Sequence, residues 1–447
     1  MFSEIYTALF TLSIVLINPF GLEGGKVWTY PKVAAVFSII VMNVVLIIKH
    51  RKSVRLILAK DKIGFLLWIA FVACGVVSTL LSPMPHHSIW GHEAMWDGLA
   101  YWSGLAVFAT TTFIATSLKP QYVRAQAKGL LAGGIILALT MIPQLVDWTI
   151  DYTATNGEIL DLQREILSSK IWRIQMPIGL YSHRGHAGFV LAACAVLAWW
   201  MRTKRWVPTP LAVGAFFLTT ALLLFTQTRG PLFGLIAAVL YMTWTSRRDR
   251  ERWASVLKIA LGTSACALLI FFISSKLQLH APRDVDLVPS IEALTEGKTE
   301  KKSSKFNDFT TGRVTLAKTA LEGIKERPFF GWGHNGFAIA YPYVTGCFDR
   351  ARKSGGIVAC DVLTTKAHNF IFDIILSIGF VGLAVYLSIF FRYFKRARSN
   401  KNFHGIEAIG LAYFIYGLTW FEAAQFTHIA WWALAVGAAR ARDDKRI

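Results

Sequence analysis

Charge is scarce in this sequence: 17% of the 447 residues are charged, 54% are hydrophobic, and mean hydropathy is positive at +0.45. No ordinary soluble domain of this size has that balance. The chain has no Walker A run, no H-E-x-x-H and no C-x-x-C pair, so neither a nucleotide-driven pump nor a standard zinc frame finds its usual residues. Its apolar stretches do not alternate, which argues against transmembrane β-strands. No internal repeat stands out. The first apolar run lacks a basic lead and an A-x-A-like exit, so no cleavable signal peptide is expected.

What is present is a series of apolar runs long enough to cross about 30 Å of hydrocarbon as helix. Twelve spans are expected, at 4–20, 31–48, 63–81, 99–117, 129–147, 186–201, 208–227, 230–245, 256–275, 369–391, 405–422 and 427–441. The chain therefore reads as an all-α polytopic membrane protein. It divides into nine spans over 1–275, a long loop over 276–368, and three spans with a tail over 369–447. The 47 Lys and Arg residues set the orientation: with the N-terminus inside, 26 fall in inner segments, seven in the short outer loops and fourteen in the segment 276–367. That distribution places both termini in the cytoplasm. It also accounts for the net charge of +20 through topology and anionic lipid, without a nucleic-acid partner.

Cys74, Cys194 and Cys266 fall inside spans and read as small packing residues. Cys347 and Cys360 share the long outer loop, where an oxidising compartment permits a disulfide; spacing alone leaves that pairing open. Within the same loop, Val314, Ala317, Leu321 and Ile324 recur at helical spacing, Thr310 or Thr311 can cap the start, and Pro328 stops it. An amphipathic helix is expected there, followed by an aromatic, Gly-rich turn, FFGWGHNGF.

Four polar features surface on the outer side: YSHRGH, TQTRG, TGR and KAHN, which carry Arg184, Arg229, Arg313 and His368. Arginine at the end of an apolar helix is usually a snorkelling anchor. These three lie on the face where anchors do nothing for orientation, and a planar guanidinium binds phosphate in bidentate fashion. Together they suggest a lipid-linked phosphate or pyrophosphate. His368 reads as a cap, a packing residue or a general base, with Asn369 available to cap the following span. Asp373, about 140° further round that helix, is a poor orienting partner for the imidazole and needs a partner of its own. His86, His87, His92, Glu93 and Asp97 match no standard zinc spacing and read as a wet loop with aromatic anchors.

The runs GRVTLAKTALEGIKERPFFGWGHNGF and AHNFIFDIILSIGFVG, with TQTRG upstream, resemble the O-antigen ligase family and its wider superfamily of O-antigen polymerases and protein O-oligosaccharyltransferases. SIWGHEAMWDGLAYW and YSHRGHAGF extend the likeness to about residues 80–395. The resemblance implies a GT-C-like membrane glycosyltransferase with a large periplasmic loop containing amphipathic helices. It implies transfer of a glycan from undecaprenyl pyrophosphate to a lipid A-core sugar on the periplasmic face of the inner membrane, with no metal and no cofactor. His368 then corresponds to the general base, and Arg229, Arg313 and, less tightly, Arg184 to the residues holding the pyrophosphate. Relatives commonly carry an arginine just before the Asp-Gly pair; Ala94, Met95 and Trp96 stand there in this chain. A transporter of lipid-linked sugars is the alternative of a different class, and it wants midplane charges and paired halves that the sequence does not offer.

Overall fold

The computed structural model describes residues 2–21, 25–92, 95–145, 177–246, 313–346 and 366–440, together with isolated helical positions between 254 and 269. Cys266, Cys347, Cys360, the residues that would cap the loop helix and most of the expected ninth span lie outside the described residues. Every described element is helical. Helices α1 (Phe2–Val15), α2 (Tyr30–Lys49), α3 (Arg51–Lys60), α4 (Lys62–Leu80), α5 (Pro85–Trp90), α6 (Leu99–Leu118) and α7 (Tyr122–Leu145) come first. Then come α8 (Arg184–Thr203), α9 (Thr209–Phe225), α10 (Arg229–Ser246), α11 (Arg313–Glu326), α12 (Gly336–Val344), α13 (Phe370–Arg398), α14 (Glu407–Gly417) and α15 (Thr427–Ala438). Among the described residues, six helical stretches are long and apolar enough to cross a membrane: Gly25–Lys49, Lys62–Leu80, Leu99–Leu118, Tyr122–Leu145, Arg184–Thr203 and Phe370–Arg398. The described residues are those of a polytopic, helical membrane protein.

Two helices form the centre. α15 is buried along its whole length, and 94% of the apolar window of α8 is buried. Apolar residues on all sides are what a helix enclosed by other helices requires. α15, twelve residues long, is walled in by α6, α13 and α14. Its Trp432 donates to Gln126 Oε1 of α7 at 2.9 Å. At the basic end of the bundle, buried Asp61 between α3 and α4 pairs with Arg392 and Arg396 of α13 and so ties α4 to α13.

α13 is two helices joined at a kink. Gly379 takes φ +71° inside it, a left-handed conformation that favours glycine, and a Cβ there would meet the Phe329 carbonyl. The break frees backbone groups, and the PFFGWG turn fills them. Trp332 N–H donates to the Leu376 carbonyl at 2.7 Å and Gly333 N–H to that of Ser377 at 3.1 Å, while Phe380 N–H donates to the Pro328 carbonyl at 2.8 Å. Interrupted helix inside a membrane protein persists where neighbouring protein re-satisfies its backbone in this way. The glycines of GWGHNG have G-x-G-x-x-G spacing, yet here they let a turn dock against a broken helix.

The loop helix forms where the spacing predicts it, as α11, but presents a different face. Ala320, Gly323 and Ile324 are buried, whereas Leu321 is 47% exposed. The cause is tertiary: the Trp332 indole donates to the Gly323 carbonyl at 2.8 Å, and the Leu376 side chain lies where a Gly323 Cβ would point. Arg327 at its end is an anchor, donating to the Leu81 carbonyl at 2.8 Å with its guanidinium 4.4 Å from the centre of the Trp332 ring. Two other boundaries move. The expected span 4–20 ends as helix at Val15, and the expected span 405–422 ends at Gly417, where the chain turns to form part of the site described next.

Candidate functional site

Each of the three arginines is the first residue of a helix: Arg184 of α8, Arg229 of α10 and Arg313 of α11. His368 lies two residues before α13. A cation in the first turn opposes the helix dipole, so three such placements are electrostatically unfavourable without an anion beside them. Among the described residues, none of the three guanidiniums has an ion pair or a hydrogen bond.

The starts of α8, α10 and α13 converge on the segment that follows α14. A Cβ on Gly185 would meet Trp420 and the Tyr416 hydroxyl at 3.4 Å each, and one on Gly230 would come 2.5 Å from Thr419 Oγ1. Gly230 is therefore required for α10 to approach so closely. The Asn369 amide donates to the Leu418 carbonyl at 3.0 Å. In TQTRG, Gln227 takes φ +50°, and the Thr226 and Thr228 hydroxyls share a hydrogen bond of 2.6 Å, which turns the chain into α10.

The YSHRGH strip is held just as firmly. Gln144 Oε1 accepts from Ile178 and Gly179 N–H, Lys32 Nζ donates to the Leu180 carbonyl at 2.7 Å, and Gln425 Nε2 donates to Ser182 Oγ at 2.7 Å. His183 then caps α8, its Nδ1 accepting from Gly185 N–H at 2.9 Å.

Asn369 caps α13, its Oδ1 accepting from Ile371 and Phe372 N–H. His368 stands outside the helix with φ +55°, a strained conformation for a non-glycine residue. Its Nδ1 lies 3.2 Å from the Lys366 carbonyl oxygen. A carbonyl can only accept, so Nδ1 carries the proton and Nε2 keeps a lone pair. The ring meets Trp420 and Phe421 edge-on, at 4.9 and 5.2 Å between centroids. Burial pushes the imidazole below its ordinary pKa. The hydrogen bond to Lys366 works against that shift, and the charges of Arg313 and Lys366 work with it. Arg313, partly shielded, feels the like charge of Arg229 in turn. Electrostatically, then, His183, Arg184, Arg229, Arg313 and His368 form one neighbourhood, with the His183 and His368 rings both against Trp420 and the charge of His368 acting on His183.

The turn before His368 is fixed by groups that the sequence reading missed. Lys366 is buried and pairs with buried Asp97, whose Oδ1 also accepts from His92 N–H at 2.9 Å. Asp97 is thus no part of a wet loop; it is 3% exposed. Asp373 finds its partner in the backbone, its Oδ1 accepting from Ala367 N–H at 2.9 Å. It orients the residue before the histidine, not the ring. His87 Nε2 lies 2.8 Å from the Asn335 amide nitrogen, which places that histidine between α5 and the GWGHNG turn. Lys366, Asp97, Asp373 and Asn335 line a narrow cleft with Trp102 and Glu422. Glu422 is buried and accepts from Tyr386 and Tyr413.

No curated protein matches the chain. A family model described as O-antigen ligase matches residues 214–387, the stretch that carries Arg229, Arg313, the GWG turn and His368 but not Arg184, Asp97 or Trp420. Over that stretch the chain matches the O-antigen ligase family, in agreement with the resemblance of its motifs.

Proposed function

We propose that the protein is a metal-independent, inverting glycosyltransferase that moves a glycan from undecaprenyl pyrophosphate to a lipid A-core sugar. The reading places it in the bacterial inner membrane with twelve spans, both termini in the cytoplasm and the site on the periplasmic face. The observation that carries it is the set of three guanidiniums, each opening a helix and none paired among the described residues, around a histidine whose Nε2 is unprotonated.

In this mechanism His368 Nε2 accepts the proton of the acceptor hydroxyl. The oxygen attacks the anomeric carbon, the bond to the pyrophosphate oxygen breaks, and the electron pair leaves on the pyrophosphate. Arg184, Arg229 and Arg313 stabilise that developing charge, and the helix starts add their dipoles. Direct displacement inverts the anomeric centre.

Purified protein, lipid-linked donor and lipid A-core acceptor, with no nucleotide or metal added, test the reading directly. Glycosylated core is expected. A polymerase would instead lengthen the donor glycan, a protein glycosyltransferase would modify a polypeptide acceptor, and a transporter would form no new covalent product. His368→Ala should lower transfer by about 10²–10⁴-fold while donor binding persists; undiminished transfer by that variant would overturn the general-base assignment.

A further inference from the structure

Trp420 is held between two imidazoles. The His183 ring stacks on the indole at 4.7 Å with 30° between planes, and the His368 ring meets the same indole perpendicularly at 4.9 Å. The two histidines are chemically complementary. His368 donates through Nδ1 and keeps Nε2 as an acceptor. His183 accepts at Nδ1 from Gly185 N–H, so the neutral ring must carry its proton on Nε2. Burial lowers the His183 pKa to about 4, and the charges of Arg184 and His368 act in the same direction, so the ring is neutral at physiological pH. Its Nε2–H has no hydrogen-bond partner among the described residues. Stacking and capping fix the ring, leaving a rigid neutral donor beside the Arg184 guanidinium and the start of α8.

We propose that His183 is a donor-binding residue, whose Nε2–H hydrogen-bonds a phosphate oxygen of the lipid-linked pyrophosphate. The ligand class follows from the surroundings: a proton donor flanked by Arg184, with Arg313 and Arg229 beyond His368, faces a site suited to an anion. This inference rests on the function proposed above and adds a residue outside the segment that matches the family model.

Two substitutions separate donation from capping. The Asn side chain places an amide where Nδ1 lies and is itself a favoured N-cap. The Gln side chain reaches the position of Nε2 and can still donate. With purified full-length protein and undecaprenyl-pyrophosphate-linked glycan, His183→Asn should raise the donor KM on the order of ten- to a hundredfold, as expected for losing a hydrogen bond to a charged group. Thermal stability and acceptor KM should not change. His183→Gln should recover part of the donor affinity despite a weaker cap. The proposal is overturned if His183→Asn matches wild type while His183→Gln loses both stability and activity, which is the pattern of a cap alone. Equilibrium binding of the same donor, measured without acceptor, keeps the two readings apart. Weaker donor binding by the Asn variant, together with no product from the wild-type protein, sinks the transferase reading and keeps the anion site. Unchanged binding in an active transferase sinks the role of His183 alone.

Discussion

Successive side chains of one short turn sit in opposite electrostatic settings. Lys366 enters a cleft shared with Asp97, Asp373 and Glu422, where it is ion-paired and the carboxylates accept hydrogen bonds from Ala367, Tyr386 and Tyr413. His368, two residues on, faces Trp420 and feels Arg313, and the arginines around it have no counter-charge among the described residues. Charges that the protein itself satisfies build the frame. Those left open among the described residues are, on the proposed function, where a ligand would bring the missing charge. Arg327 makes the same point from the other direction: it lies just past the end of α11, the helix that Arg313 opens, yet it is engaged by the Leu81 carbonyl and the Trp332 ring, and it serves as an anchor.

This contrast is open to direct attack. Removing one partner on the paired side should have the largest effect: Asp97→Ala leaves the Lys366 ammonium buried and unpaired, with an expected loss of about 3–5 kcal/mol of stability. Thermal unfolding in detergent measures it, and the double change Asp97→Leu with Lys366→Met should cost much less. On the open side the order reverses. Arg229→Gln or Arg313→Gln should weaken donor affinity by about tenfold or more, in keeping with a lost charged hydrogen bond. Stability should hold or rise by about 0.3–1 kcal/mol, because each change removes a cation from a helix start; a fall in thermal midpoint with donor affinity intact would erase the distinction between the two sides.

The smallest expected effect is in the pH profile. His368 must be neutral to accept a proton, and its pKa lies below the ordinary imidazole value. Transfer should therefore persist as pH falls through about 6.5 and fail only at lower pH. Arg313→Gln removes a charge that opposes protonation, so the acid limb should move upward by a fraction of a unit. A downward shift would contradict the proximity of Arg313 to His368.

Much of this was legible because the signals were local. Apolar runs marked the helices, Asn369 announced its cap, and Arg184, Arg229, Arg313 and His368, each beside the start of an apolar or amphipathic helix, form one electrostatic neighbourhood. What was illegible depends on distant parts of the chain. Asp97 and Lys366 meet across 269 residues, and nothing in either stretch names the other. The face of α11 is set by Trp332 and Leu376, so its own periodicity pointed to Leu321 and missed Ala320 and Gly323. The kink at Gly379 lies inside a run that is apolar throughout, and only the docking of the PFFGWG turn makes it stable. His183 was overshadowed by its neighbour Arg184, since a histidine before a helix reads first as a cap. It is a cap, with its second nitrogen left over.

The central claim is that the arginines left without a partner among the described residues form an anion site, and binding of inorganic pyrophosphate to the detergent-solubilised protein tests it most directly. The account predicts saturable, salt-sensitive binding by wild type that is abolished by Arg229→Gln with Arg313→Gln and preserved by Asp97→Leu with Lys366→Met. Equal binding by wild type and the double-arginine variant would contradict it.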